Sequence, residues 1–146
     1  QSLHDELAGG GTLGYPLMNV RVVLLEVESR EGETTEVALH AAVANAMHQL
    51  LTEAGVVLLE PVMQLEVVTP DEFLGPLQAD LNARHAVIVN SMRRGDLAVL
   101  NAEVALSRMF GYSTQARSLS QGRATYSMQP LKYAEAPRDV LETMLG

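Results

Sequence analysis

Residues 62–104 read VMQLEVVTPDEFLGPLQADLNARHAVIVNSMRRGDLAVLNAEV. Residues 62–68 are rich in β-branched side chains and predict a strand. Pro70 suits a first helical position, with Thr69 as a candidate cap. Phe73, Leu74, Leu77 and Leu81 then recur on one side of a helix. Residues 86–92 form a second strand, Arg94-Gly95-Asp96 a turn, and residues 97–104 a third strand. Downstream, residues 106–119 read as partly helical, with Met109 and Phe110 facing inward and Gly111 weakening the middle. Gly122 stops that segment, and residues 123–129 alternate as a last strand. The order β-α-β-β-α-β is the split βαβ, or ferredoxin-like, α+β unit. Two helices on one face of a four-stranded antiparallel sheet bury both apolar stripes and leave the opposite face free for a partner.

Upstream the pattern differs. Residues 1–7 read as the end of a helix closed by Gly9-Gly10-Gly11, and Gly14-Tyr15-Pro16 as a turn. Residues 20–25 predict a strand, and the acidic residues 26–35 an exposed loop or hairpin tip. Val37, Ala41, Ala44, Met47 and Leu51 recur near a 3.6 period, with Thr35 as cap and Gly55 as stop. Residues 56–59 begin a strand or linker, and Glu60-Pro61 looks like a boundary. The expected organisation is a partial α/β lobe over residues 1–60 and the ferredoxin-like domain over 61–146. The chain opens at Gln1, inside a helical pattern and without Met, which reads as a piece of a longer protein.

Composition narrows the chemistry. Hydrophobic residues make up 47% of the 146, enough for a packed core. Cysteine is absent, which excludes disulfides, thiolate metal sites and a cysteine nucleophile. No apolar run approaches the roughly 20 residues of a membrane span, and no secretion signal opens the chain. The net charge of −8 argues against nucleic acid until its distribution is considered. Residues 1–83 hold two basic and 13 acidic residues, whereas residues 84–138 hold eight basic and three acidic. A basic second half permits a local anionic partner, although unevenly charged surfaces are also common.

A nucleotide-binding P-loop needs a glycine-rich stretch ending in Lys-Ser or Lys-Thr. The one lysine, Lys132, follows Pro130-Leu131, and Gly9-Gly10-Gly11 is better read as a helix stop. His40 and His48 lie eight residues apart, unsuited to one metal on a helix, so no metal or catalytic residue is expected. The glutamates at 26, 28, 31, 33 and 36 lack calcium-loop spacing and read as a solvated face. The stretch at 109–126, MFGYSTQARSLSQGRATY, is more informative. It gathers Arg117, Ser118, Gln121 and Arg123 at a helix end and the turn after it. Arginine forks match phosphates, Ser and Gln add short donors, and Gly122 admits a close backbone. Such groups read RNA by shape; the same pattern also suits an ordinary helix end with a cation against its dipole.

Phe110-Gly111-Tyr112-Ser113-Thr114, Arg117-Ser118-Leu119 and Gln121-Gly122-Arg123-Ala124-Thr125-Tyr126 resemble the signature of the last domain of the elongation factor G family. The resemblance extends to Leu58-Leu59-Glu60-Pro61-Val62-Met63, Glu66-Val67-Val68-Thr69-Pro70 and Asp80-Leu81-Asn82-Ala83-Arg84. Gly14-Tyr15-Pro16, Lys132-Tyr133 and Glu135-Ala136-Pro137 match as well. It implies that residues 1–60 are the C-terminal half of domain IV and residues 61–146 domain V. It further implies a ribosomal partner. Arg117, Ser118 and Gln121, with Arg123, would meet the sarcin–ricin loop beside the stalk base, and domain IV would reach the small-subunit decoding region. A full-length member binds GTP and magnesium in an N-terminal domain and promotes translocation of tRNA and mRNA. This stretch then carries no cofactor, small-molecule substrate or enzymatic activity of its own. The implied location is the bacterial cytoplasm, or alternatively the mitochondrial matrix.

At the domain IV tip the chain departs from the family pattern. Arg30-Glu31-Gly32 puts a permanent cation where a histidine is usual, amid a surplus of glutamates that would repel RNA. The alternative implied by this departure is a divergent paralogue specialised in ribosome recycling. Two readings from other classes are a small-molecule regulatory module and a single-strand RNA binder. The second needs paired aromatics on the sheet, where the expected strands offer only Tyr126.

Overall fold

The computed structural model describes residues 1–10 and 14–145, in two compact units, residues 1–56 and 57–146. Gly11 of the glycine run lies outside the described residues.

In the first unit, α1 (Ser2–Gly9) ends where Gly10 turns left-handed at φ 77°. A Cβ on Gly10 would fall 1.9 Å from the Tyr15 carbonyl oxygen, so only glycine fits there. α2 (Glu36–Ala54) starts as expected, with Thr35 Oγ1 accepting from the Ala38 N–H, and stops at Gly55. Only part of its apolar stripe is covered: Met47 is buried, whereas Val37 is exposed. Residues 20–25 form no strand. β-branched residues favour extended backbone, but a strand also needs a neighbour to pair with, and among the described residues of this unit there is none. Val23 and Leu24 are exposed, and Leu25 is 90% exposed.

The second unit is built on β1 (Leu59–Pro70), one of two central strands. It pairs antiparallel with β3 (Leu97–Ala105) on one side and β4 (Thr125–Glu135) on the other. β2 (Val87–Arg94) pairs with β3 across the Gly95-Asp96 turn, giving the order β2-β3-β1-β4, all antiparallel. With α3 (Leu74–Ala83) and α4 (Tyr112–Leu119) between the strands, this is the ferredoxin-like βαββαβ arrangement. Period-two alternation sends Met63, Leu65 and Val67 to one face of the sheet. There they meet Leu100, Ala102 and Val104 of β3, Leu77 and Leu81 of α3, and Tyr112 and Ala116 of α4. Leu65, Val67, Leu77, Leu81 and Leu100 have no exposed surface. Truncating any of the four leucines to Ala removes about 2–5 kcal/mol. The opposite face carries a polar ladder, with Gln129 donating to Gln64 at 2.9 Å and Asn101 to Asn90 at 2.8 Å.

Several local expectations change. Thr69 is not a cap: β1 runs on to Pro70, and Thr69 is fully buried within it. The first helical turn is a 3-10 turn at Asp71–Phe73, because Pro70 is extended and lends no side-chain acceptor. Residues 106–119 are likewise a 3-10 turn (Leu106–Arg108) and a separate helix, divided where Gly111 adopts φ 71°. That left-handed step turns Met109 into the core but leaves Phe110 84% exposed. β4 extends to Glu135, so Tyr133 joins Tyr126 on it; as an edge strand it tolerates Pro130, which has no N–H to donate. A final helix, α5 (Arg138–Leu145), adds to the expected elements. Arg108 donates to Asp139 in its first turn at 2.6 Å, which draws the Asp139 carboxyl below its ordinary pKa.

The Tyr112 hydroxyl is buried without a partner among the described residues, and burial raises its pKa from 10.0 to about 12. The unfolded chain therefore releases this proton first. Stability is complete below pH 10 and falls as pH rises from 10 towards 12, by on the order of 1–3 kcal/mol. Tyr112→Phe leaves no hydrogen bond unmade, so it changes neutral-pH stability by less than about 1 kcal/mol and removes this part of the alkaline loss. Urea unfolding of both forms at neutral pH and near pH 11 measures the difference.

Candidate nucleic-acid interface

The outward surface of α4 follows from its inward one. Tyr112 and Ala116 lie against the sheet, and Tyr112 meets the Tyr126 ring edge-on at 5.1 Å. Ser120, also fully buried, donates to the Ala116 carbonyl at 2.7 Å and accepts from the Ala124 N–H at 3.0 Å. With those positions inside, Thr114, Arg117, Ser118 and Gln121 are exposed. Within the helix, Thr114, Arg117 and Ser118 lie three and one residues apart on its outward side, and Gln121 follows just beyond its last residue, Leu119.

The end of α4 shapes the site further. The Gly122 N–H bonds the Arg117 carbonyl at 2.8 Å and the Gln121 N–H the Ser118 carbonyl at 3.4 Å. This is a Schellman closure with Gln121, not glycine, in the left-handed position at φ 53°. Gly122 follows at φ 77°, so the glycine expected to stop the helix is the second residue of the turn. α3 closes in the same way. The Ala86 N–H bonds the Leu81 carbonyl at 2.9 Å, the His85 N–H bonds the Asn82 carbonyl at 3.0 Å, and His85 is left-handed at φ 59°. A side chain in that conformation costs about 1–2 kcal/mol. Gln121 therefore occupies a strained position that glycine would fill at lower cost, one residue past the end cap of α4.

The four residues singled out in sequence fare differently. Arg117, Ser118 and Gln121 share the exposed stripe, and Arg117 forms no ion pair among the described residues. Arg123 is exposed but engaged: it donates to Glu72 at 2.7 Å and lies 5.5 Å from the Phe73 ring centroid. It fastens the approach to β4 onto the Asp71–Phe73 turn. Thr114, on the same stripe, is a residue the sequence reading missed; its i, i+3, i+4 relation to Arg117 and Ser118 was the available signal.

In the first unit, Arg30, Glu31 and Gly32 come together in one turn. The Arg30 N–H donates to Thr34 Oγ1 at 2.8 Å, and the Glu33 and Thr34 N–H groups donate to the Arg30 carbonyl. Gly32 sits at φ 82°, which accounts for a glycine there. The Arg30 guanidinium is 3.8 Å from the Glu33 carboxylate, with both side chains largely exposed, so the pair adds little stability. Glu28, Glu31, Glu33 and Glu36 leave this turn negative, unlike the α4 stripe.

A nucleotide or metal does not fit the residues present. Lys132, the one lysine, lies on edge strand β4 and is paired with Glu103 at 3.0 Å. Gly9 and Gly10 close α1. Among the described residues, no three His, Asp or Glu side chains converge.

Residues 57–144 match the family model described as elongation factor G C-terminus. The chain is 45% identical over 141 residues to elongation factor G 2 of Desulfotalea psychrophila, covering 97% of the chain and 20% of that protein. It is 40% identical over 143 residues to elongation factor G of Thermotoga maritima, covering 98% of the chain and 21% of that protein. A crystal structure of a Thermus thermophilus protein superposes with a TM-score of 0.83 at 28% identity, over 99% of this chain and 22% of that one. The chain thus spans about a fifth of the length of the curated relatives it matches.

Relieving the strained turns raises stability. Gln121→Gly and His85→Gly each add up to about 1 kcal/mol, the gain in strain being offset partly by the freer unfolded chain. Urea midpoints that fall in both variants contradict this reading of the two closures.

Proposed function

Because the chain belongs to the elongation factor G family, we propose that it is a ribosome-binding portion of a translational GTPase that promotes GTP-dependent movement of tRNA and mRNA. Residues 61–146 are domain V in this proposal, and residues 1–60 the C-terminal half of domain IV. Domain V anchors on the large subunit at the sarcin–ricin loop and stalk base, through Arg117, Ser118 and Gln121. Arg123 adds a cation beside them, although its pairing with Glu72 leaves it less free than Arg117. Domain IV reaches the decoding region through the turn holding Arg30, Glu31 and Gly32. GTP and magnesium act in the parent, outside these 146 residues.

One observation carries this reading: α4 exposes a polar stripe whose arginine is uncommitted among the described residues and whose glutamine occupies a position better suited to glycine. An unpaired guanidinium can fork onto a phosphate without first breaking an internal pair, and hydroxyl and amide donors beside it fix register on the backbone. Binding of this kind works by charge and shape, with no covalent step assigned to this chain. None of the described helices is long and apolar enough to cross a membrane, and a cytoplasmic location belongs to the same proposal.

In the full-length parent, Arg117→Ala weakens ribosome binding and ribosome-stimulated GTP hydrolysis, and lowers the slope of log affinity against log salt by about one. Gln121→Gly weakens binding while stabilising the fold, which separates recognition from stability. Unchanged stimulation and salt slope in Arg117→Ala remove the assigned role. Translocation and ribosome-splitting assays on the same parent distinguish a translocase from a recycling paralogue.

A further inference from the structure

Arg84 belongs to the motif Asp80-Leu81-Asn82-Ala83-Arg84, to which the proposed RNA contacts assign no task. Its side chain is only 17% exposed. It makes interactions in three directions. Nε donates to Asp80 Oδ2 at 2.8 Å, one turn back on α3. Nη1 donates to two backbone carbonyls, that of Arg108 at 2.8 Å and that of Phe110 at 2.9 Å. The guanidinium carbon lies 5.3 Å from the centroid of the Tyr112 ring. A single planar cation thus joins the end of α3 to the segment that delivers the chain into α4. That segment contains the left-handed Gly111, where the chain direction is otherwise weakly determined.

Resting on the ribosomal reading above, we propose that Arg84 is a positioning residue for RNA binding. It sets where α4 begins, and so where Arg117, Ser118 and Gln121 stand, without touching the RNA itself. The chemistry requires arginine. The single lysine nitrogen could meet the two carbonyls as Nη1 does, but lysine has no second nitrogen to hold Asp80 at the same time, as Nε does, and no flat face for the Tyr112 ring. Tyr112, which Arg84 covers, is the first residue of α4 and is buried in the core, so Arg84 acts on the helix where it begins.

The test compares Arg84→Lys and Arg117→Ala in the full-length parent, measuring ribosome affinity across a salt series together with amide exchange at Tyr112 and Gln115. Arg84→Lys is expected to lower affinity roughly tenfold, speed exchange of both amides, and leave the salt slope unchanged, since no phosphate contact is lost. Asp80→Asn, which loosens Arg84 but keeps its fork, serves as the milder variant should Arg84→Lys fold poorly; a smaller loss with the same unchanged slope is expected. Full affinity in Arg84→Lys despite faster exchange overturns the proposal, as does a loss explained by the unfolded fraction alone. A slope reduced by about one in Arg84→Gln, which removes the charge that lysine keeps, also overturns it, by making Arg84 a direct RNA contact. If Arg117→Ala itself binds as before, the ribosomal reading of α4 fails and takes this proposal with it. A loss in Arg117→Ala alone leaves that reading standing and removes only the role of Arg84.

Discussion

The packing of Tyr112 and Ala116 against the sheet is the constraint on which the remainder depends. Once those two positions on an eight-residue helix are buried, the helical period dictates which side chains face solvent. The stripe of Thr114, Arg117, Ser118 and Gln121 is a consequence of core packing as much as of surface chemistry. The same face of the sheet buries Leu65, Val67 and Leu100 beneath α3 and α4, so the rigidity of the stripe is inherited from the core.

Helix ends do much of the remaining positioning. Both sheet-covering helices close with the same pair of backbone hydrogen bonds, and both place a non-glycine residue in the left-handed position. For α3 the closure leads directly from Arg84, which reaches across to the segment before α4. For α4 it fixes Gln121 at the tip of the stripe. A strained residue at an exposed turn reduces stability, and both closures carry that cost. Arg123 illustrates the opposite case: a basic residue in the same motif that is engaged mainly in holding the turn to Glu72 and Phe73.

The ferredoxin-like order was legible because each element carries its own period. Residues 62–68 alternate, Phe73, Leu74, Leu77 and Leu81 recur helically, and Gly95-Asp96 punctuates the hairpin. Less legible was whatever depends on a neighbour. Residues 20–25 have strand composition but no pairing partner among the described residues of their unit. Thr69 resembles a cap, yet β1 continues past it because the strands on both sides still offer partners: Thr69 faces Ala98, and Val68 faces Thr125. Phe110 looks like a core residue until Gly111 adopts positive φ and turns the chain. In the candidate site, the exposure of Arg117, Ser118 and Gln121 follows from the helical period and the helix end, whereas the engagement of Arg123 arises from a contact 51 residues away in sequence, which no local pattern announces.

Charge follows the same division. The basic residues of 84–138 include four that are held by acidic partners across the fold: Arg93 with Asp71, Arg108 with Asp139, Arg123 with Glu72 and Lys132 with Glu103. Arg117, like Arg94 and Arg138, has no such partner among the described residues; what sets it apart is its place on α4 beside Ser118. The decisive measurement is a cryo-electron microscopy structure of the full-length parent on the ribosome, reading the environment of α4. The Arg117 guanidinium within hydrogen-bonding reach of an rRNA phosphate, with Ser118 and Gln121 on the same strand, is the predicted result. An α4 stripe that faces open solvent or a protein surface would contradict it.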